Sequence, residues 1–482
     1  MRKLFVAALM PALIVGCSDA NKQHQQQPTS FFGGLFDRFE VPAIQILNLE
    51  GQAIANAQVL IGDALNSPFA GNFLTTDENG QIALPAGWTT PANITVQAPG
   101  YLRVTYMNQE PSSLTIKLRA ATTRAQFEIK GVARELPVED KDGYIDFGLV
   151  MPAFSKMDLL AFNITNVISP QVDRISVYGQ NVDIPANISL PKQSEKYGLF
   201  TVTLEKPSYR IYAGQQGIQR VFAARGRFAF KGVLEDLKNG KEFYDVINDI
   251  RINGGGIRDI DVRTGSTKLD VPTRELNFNE KKEVNAPTHR SDEIFMAVGV
   301  SNQSGYLIPT DVKKIESGKK LNVNALPGSD QLLLGVLMKE SEMKGEKAGG
   351  RMSAALSPFT AGISPKMLPL IADPSLQNGE LLFPKFNTVE GVNPIATYTV
   401  LSKEEEVQQG SAKVKLMNPQ WEIYASDWQE RMAIPKWPNE APVSGKKRWE
   451  VSFIGSQTAS QVGLGPAIIE AATHVTHSSL SF

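Results

Sequence analysis

The feature that most constrains this chain is a succession of short apolar runs in which inward and outward residues alternate. The clearest examples come early, at Ala43–Leu47, Ala57–Ile61, Gln81–Leu84, Asn93–Val96 and Leu114–Leu118. A period of two over about five residues, with turn residues between the runs, is typical of half-buried β-strands. The sequence therefore predicts a mainly β fold of tandem β-sandwiches, immunoglobulin-like or transthyretin-like, with few short helices.

Composition agrees with a folded chain that has more than one domain. Hydrophobic residues make up 42% and charged residues 21% of the 482 residues, as in globular proteins. Cys17 is the only cysteine, so the domains must be stable without intrachain disulfides. The net charge of −1 lacks the basic surplus of a nucleic-acid-binding protein. We predict no nucleic-acid partner and no cofactor.

The N-terminus has the layout of a secretory signal. Arg2 and Lys3 precede an apolar run from Leu4 to Val15, which is too short to span a bilayer as a mature helix. No second run of about 18 apolar residues follows it. We predict that residues 1–16 are a signal peptide.

The end of this run carries a second signal. Ile14-Val15-Gly16-Cys17 resembles the lipobox of bacterial lipoproteins. The resemblance implies cleavage before Cys17 and lipidation of its sulfur, with acylation of the new amino group. Two or more acyl chains anchor a protein stably in a membrane. Because Ser18 rather than Asp follows Cys17, the resemblance also implies sorting to the outer membrane. Whether the protein then faces the periplasm or the cell surface stays open.

Residues 17–40 contain the predicted lipidated cysteine and a tether. The stretch 18–30 is polar, rich in glutamine and without aliphatic residues that could build a core. Such a composition favours a flexible linker.

Residues 41–119 form the clearest predicted module. Its motifs are Gly51–Val59, Thr76–Gln81, which overlaps the turn signal Thr75–Gly80, and Ala98–Tyr101. Within the turn, Asn79-Gly80 adopts positive φ at low cost, and Asp77 can accept backbone hydrogen bonds. In this order the motifs resemble the carboxypeptidase regulatory-like domain, a small transthyretin-like β-sandwich. The resemblance implies an accessory module, frequent in cell-envelope proteins, without catalytic residues of its own.

Two further regions follow the first module. Residues 120–280 are predicted to be a second β-rich domain with a short helix at Lys241–Ile250 and a turn at Gly254–Gly256. Residues 281–482 form a third β-rich region. A division of this region near residue 380 would make it two subdomains.

Two groups of residues have the types needed for metal binding. Asp140, Asp142 and Asp146 flank Gly143 in a partial calcium-loop pattern, but the closing glutamate of a complete loop is missing. His474 and His477 lie on opposite faces if they belong to a strand, and no cysteine or acidic residue accompanies them. We interpret the first group as an ordinary acidic turn, place the histidines at a surface or sheet edge, and predict no metal site.

Tryptophans cluster near the C-terminus. Trp421, Trp428, Trp437 and Trp449 lie close together in the sequence. Flat aromatic faces stack on sugar rings, so Trp421, Trp428 and Trp437 are candidates for a glycan platform. The alternative is that these large side chains fill the core of the last region.

The sequence contains no Gly-x-Ser-x-Gly, His-Glu-x-x-His or phosphate-binding Gly-Lys motif, and we predict no catalytic residue. We expect a lipid-anchored cell-envelope protein, a binding, adhesion or structural module held to the membrane through Cys17. Its partner would be an envelope glycan or protein. The alternative is an envelope hydrolase for glycan or peptide, with paired carboxylates in residues 281–482.

Overall fold

The computed structural model describes most of the chain after residue 41. The described residues are 42–64, 73–121, 127–136, 143–156, 171–177, 180–197, 200–213, 216–241, 243–343, 350–409, 412–438 and 445–482. The predicted signal peptide, Cys17 and the predicted tether lie outside them.

The first module is a two-layered β-structure. Its strands are β1 (Ala43–Asn48), β2 (Gln58–Ile61), β3 (Leu74–Thr75), β4 (Gln81–Ala83), β5 (Ala92–Gln97), β6 (Arg103–Gln109) and β7 (Leu114–Leu118). One layer has the order β4-β1-β7, and the other contains β3, β2, β5 and β6. Alternation explains the layering, since Ile44 and Ile46 point into the core while the residues between them do not.

The predicted turn between β3 and β4 forms as expected. The backbone N–H groups of Asn79 and Gln81 donate to Asp77 Oδ1 at 2.9 and 2.8 Å. Gly80 has φ +71°, and a Cβ there would lie 2.5 Å from the Ile46 carbonyl oxygen. Only glycine fits this position without strain.

The second region is also mainly β. Its strands are β8 (Phe127–Arg134), β9 (Tyr144–Pro152), β10 (Val172–Val177), β11 (Gln180–Pro185), β12 (Ile188–Tyr197), β13 (Phe200–Lys206), β14 (Ser208–Ala213), β15 (Gly217–Ala229), β16 (Ile250–Val262), β17 (Ser266–Lys268), β18 (Val271–Pro272) and β19 (Leu276–Asn277). The larger sheet has the order β13-β12-β9-β15-β16-β19, and β14-β8-β17 forms a second sheet with β18 against β8. A separate hairpin pairs β10 with β11.

Two local predictions for this region need correction. The helix predicted at Lys241–Ile250 is only α2 (Phe243–Val246) followed by a 3₁₀ turn (Ile247–Asp249), and a longer helix, α1 (Phe230–Lys238), precedes it. Gly254–Gly256 is not a turn but lies inside β16. A Cβ on Gly256 would lie 2.2 Å from the Pro272 carbonyl oxygen. The missing side chains let the segment with β18 and β19 pass close to this strand.

Among its described residues, the third region has long strands and two short helices. The strands are β20 (Glu280–Asn285), β21 (Glu293–Gln303), β22 (Tyr306–Lys314), β23 (Lys320–Ala325), β24 (Asp330–Lys339), β25 (Met352–Pro358), β26 (Ser375–Gln377), β27 (Glu380–Leu382), β28 (Asn393–Gln409), β29 (Ala412–Ser426), β30 (Arg431–Ala433), β31 (Lys447–Ser456) and β32 (His474–Ser481). The helices are α3 (Glu340–Met343) and α4 (Pro466–Ala471).

The largest sheet joins the third region to the first module. Twelve described strands follow the order β22-β21-β24-β25-β32-β31-β28-β29-β6-β5-β2-β3. One apolar core cluster contains Ile46 of the first module, Phe222 of the second region and Val336 of the third. The mainly β, sandwich-like prediction is confirmed, but the sheet and the core continue across the predicted module boundaries.

Strand pairing crosses residue 380, where the sequence leaves a division into two subdomains open. β26 and β27 pair across this position as a hairpin, and β27 also pairs with β30. Strands from both sides of residue 380 also share the twelve-stranded sheet.

Candidate functional site: the joint between the first module and the third region

The first module and the third region meet at a pair of parallel strands. Arg103, Val104, Thr105 and Tyr106 of β6 lie in register with Trp421, Glu422, Ile423 and Tyr424 of β29. We call this strand pair, with the side chains that cross it, the joint. Few charged side chains are expected inside such a sheet, and those present need partners there.

A buried ion pair closes the joint on one face. The guanidinium of Arg119, just after β7, donates to Glu422 Oε1, and their side chains are 9% and 2% exposed. The Tyr398 hydroxyl of β28 donates to the same oxygen at 2.6 Å. Burial, with Glu422 alongside, raises the pKa of Tyr398 well above its usual value. Tyr398 therefore stays protonated and keeps donating to the carboxylate.

Tyrosines extend this face of the joint. The ring of Tyr424 lies 4.8 Å from that of Tyr398 and meets Tyr106 of β6 edge-on, with centroids 5.6 Å apart. A Cβ on Gly465 would lie 1.8 Å from the Tyr106 hydroxyl oxygen, so glycine is needed where the chain turns into α4. Three tyrosines and a glycine thus fill the space beside the ion pair.

Tryptophans and a second arginine occupy the other face. Trp421 Nε1 donates to Thr105 Oγ1 at 2.9 Å, and this oxygen is 2.8 Å from Thr95 Oγ1. The Arg103 guanidinium lies 4.5 Å from the centre of the Trp421 ring and 5.1 Å from that of Trp437. Such cation–π contacts gain strength when they are withdrawn from water.

The glycan-platform prediction fails for Trp421, which is 5% exposed and packed in the joint. Trp437 is half-buried and stacks on Phe73 of the first module, with ring centres 4.6 Å apart. Trp428 is also half-buried, stacks on Phe386 at 4.5 Å and donates from Nε1 to the Ile454 carbonyl oxygen at 2.8 Å. Trp421 thus belongs to an apolar core, whereas Trp428 and Trp437 are partly buried and pack against that core.

The predicted surface or edge position of the histidines is wrong. His474 and His477 are 1% and 5% exposed on β32, inside the twelve-stranded sheet and on opposite faces. His474 Nε2 is 2.9 Å from the Lys366 carbonyl oxygen, and Ser452 Oγ is 3.1 Å from His477 Nδ1. Burial lowers the pKa of His474 to about 4. Burial, helped by Arg448, lowers the pKa of His477 to about 3.

The calcium-loop alternative loses one of its ligands. Asp146 is 3% exposed in β9 and accepts hydrogen bonds from the buried Arg227 at 3.0 and 3.2 Å. Asp140 and Asp142 lie outside the described residues. In the part of the chain that the structure describes, no group of three or more histidine, cysteine or acidic residues is arranged to hold a metal ion.

Two carboxylates of the third region lie on the same face of the large sheet. Glu422 and Glu450 are both cross-strand neighbours of Val400, and they are 2% and 6% exposed. Glu450 accepts from Arg448 and, at 3.2 Å, from Ser402 Oγ. Burial raises the pKa of Glu450, although Arg448 opposes the rise. Glu422 is therefore paired with an arginine of another segment, whereas Glu450 is paired with Arg448 of its own strand and reaches β28 only through Ser402.

Arg103, Arg119 and Glu422 were not among the predicted site residues. A signal was present for Glu422, since it interrupts the aromatic and apolar run Trp421–Tyr424 with a charge at an inward position. A buried charge needs a partner. The sequence does not say that this partner is Arg119, which lies 303 residues away.

Comparisons with known proteins give little further guidance. No family model matches the chain, and no curated protein does. Among solved structures, BcpA, the major pilin subunit of Bacillus cereus, is 11% identical, with 69% of this chain and 93% of that chain covered and a TM-score of 0.13. A fimbrial assembly protein from Parabacteroides distasonis is 7% identical, with 49% and 86% covered and a TM-score of 0.14.

The pilus adhesin SpaC from Lactobacillus rhamnosus GG is 9% identical, with 83% of this chain and 43% of that chain covered and a TM-score of 0.14. Scores this low carry no argument about function. Among the described helices, none is long and apolar enough to cross a membrane.

Proposed function

We propose that this chain is a lipid-anchored cell-envelope protein that acts as a rigid structural or binding module at the outer membrane. Cys17 would carry the lipid, and residues 18–40 would tether the folded β-layers to it. The partner would be another envelope protein or an envelope glycan.

The observation that carries the structural part of this proposal is the joint. The first module adds its β6 to β29 of the third region, and the Arg119–Glu422 ion pair fixes the contact. Domains connected only by a linker move relative to one another, whereas a continuous hydrogen-bonded sheet holds them in one orientation. A rigid body held by a tether suits a protein that presents a binding surface to a partner.

The anchoring part of the proposal is tested at Cys17. The protein is produced in a Gram-negative host fed a radiolabelled or alkyne-labelled fatty acid, and the membrane fraction is analysed by mass spectrometry. We expect the mature chain to begin at Cys17, to carry a diacylglyceryl group on its sulfur, and to sediment with membranes. An unmodified chain beginning after Cys17 would contradict the proposal.

Cys17→Ser is the matched variant. It changes one atom outside the described residues, so the thermal melting of the folded part should be unchanged. We expect it to lose the label and the membrane attachment. Retention of the label by this variant would show that the lipid is carried elsewhere.

A further inference from the structure

The predicted tether leads directly into a strand at the middle of a sheet. Residue 42 is followed at once by β1, which lies between β4 and β7. β1 and β7 run parallel through five register pairs, from Ile44 with Leu114 to Asn48 with Leu118. A force applied to the tether along the direction of β1 would act perpendicular to the hydrogen bonds of this strand. It would load all of them at once, because the hydrogen bonds between paired strands run across the strand direction.

The joint runs along nearly the same direction. The Ala43 N–H donates to Ser113 Oγ at 3.3 Å, so the start of β1 lies beside the turn that joins β6 to β7. β6 therefore ends near the tether. Because β29 is parallel to β6, β29 also ends there, at Ser426, while Lys415 lies toward its opposite end. β1 and β6 lie in the two packed layers of the first module. Strands in packed layers of an aligned sandwich differ in direction by only about 30°, so the joint runs nearly parallel to β1.

From this geometry we infer that the joint is a mechanical coupling that resists force in shear. This inference rests on the proposed function, because the force is that exerted by a membrane anchor at Cys17 on a body held at its far side. β6 is then drawn toward the membrane while β29 is held back along the same axis. The four register pairs of the joint, the Arg119–Glu422 ion pair and the Trp421–Thr105 hydrogen bond resist the displacement together.

The reverse geometry gives a different response. If β29 were held from its tether-side end, both forces would act at one end of the joint, and its bonds would break one after another. The direction of pulling should therefore change the force at which the joint opens, although the contacts are the same. Forced opening depends on the barrier in the direction of pulling.

The experiment compares two handle positions on one strand by optical-trap force spectroscopy. The chain from residue 17 onward is produced without its signal, so that Cys17 carries no lipid and accepts one DNA handle. The second handle is attached through Lys415→Cys in one protein and Ser426→Cys in the other. Both residues are exposed on β29, and they are separated by roughly 36 Å along the strand at about 3.3 Å per residue.

We expect the first rupture to require about twofold more force, or higher, with the Lys415→Cys handle, because the joint contacts break together rather than in turn. Equal forces at the two positions would overturn the inference. Glu422→Gln added to each protein should lower the force with the Lys415→Cys handle and reduce the difference between handles. A difference that Glu422→Gln leaves unchanged would also overturn it.

The outcome is separable from the anchoring proposal. Absence of lipid on Cys17 would contradict the proposed function while leaving the measured force difference intact. Equal forces on a chain that is lipidated in cells would contradict only the mechanical inference. Circular dichroism of each variant before pulling checks that it is folded.

Discussion

At the scale of single residues, charge buried inside a β-layer determines how the joint is held. The side chains of Glu422 and Arg119 are almost completely buried. An unpaired charge in that position would be strongly unfavourable. Their pairing was not predictable from sequence, because it depends on β6 and β29 becoming neighbours. What the sequence does show is an acidic residue inside the aromatic and apolar run Trp421–Tyr424.

Removing the charge on Glu422 should destabilise the protein strongly. Glu422→Gln keeps the size of the side chain but leaves the buried Arg119 without this carboxylate. We expect the free energy of unfolding in urea to fall by roughly 3–5 kcal/mol. The control is Arg134→Gln, which breaks the pair with Asp270 at a side chain that is 65% exposed and should cost less than about 1 kcal/mol. Similar losses for both variants would contradict the assignment.

The two buried histidines should make the fold sensitive to acid. Burial lowers the pKa of His474 to about 4 and that of His477 to about 3, whereas both are near 6.5 in the unfolded chain. The unfolded state therefore binds more protons below pH 6.5, and stability falls as the pH decreases from there toward 4. Each histidine contributes a slope of up to about 1.4 kcal/mol per pH unit.

Urea titrations between pH 7 and pH 4 measure this slope. Glu450 and Asp311 act in the opposite sense, because burial raises the pKa of both carboxyl groups and protonation relieves their charge. The histidine contribution is therefore isolated with His474→Gln, which should flatten the pH dependence relative to the parent protein. An unchanged slope in this variant would show that His474 is not buried in neutral form.

At the scale of secondary-structure elements, the alternating runs were the reliable signal. The predicted strands of the first module coincide with β1, β2, β4, β5 and β7, because each run has one apolar face. Gly254–Gly256 misled the prediction because glycine is equally suited to turns and to places where two backbones approach closely. The crossing segment that requires glycine in β16 becomes visible only in three dimensions.

The crossing is tested by adding one methyl group. Gly256→Ala places a Cβ against the Pro272 carbonyl oxygen, 2.2 Å away, and the backbone must shift to admit it. We expect a loss of about 1–3 kcal/mol in urea unfolding. Gly232→Ala is the control, since that glycine is exposed in α1 with open space around it. It should stabilise the protein by about 0.5–1 kcal/mol. Equal effects at the two positions would contradict the close crossing.

At the scale of the whole molecule, the first module and the third region share one twelve-stranded sheet. The resemblance of residues 41–119 to an accessory domain implied a small β-sandwich module. In the structure, β6 of this module pairs in parallel with β29 of the third region. Sequence patterns report which residues face inward along a strand, but they do not identify the neighbouring strand when it lies hundreds of residues away. Contacts between distant segments were therefore the part that sequence could not provide.

Hydrogen–deuterium exchange of the intact protein tests most directly whether the first module is built into the large sheet. If it is, peptides covering Arg103–Tyr106 and Trp421–Tyr424 exchange as slowly as the central strand β31, because all three open only in global unfolding. If β6 and β29 were instead two uncovered edges, both peptides would exchange as fast as the edge strand β3 while β31 stayed protected, and that result would contradict the joint.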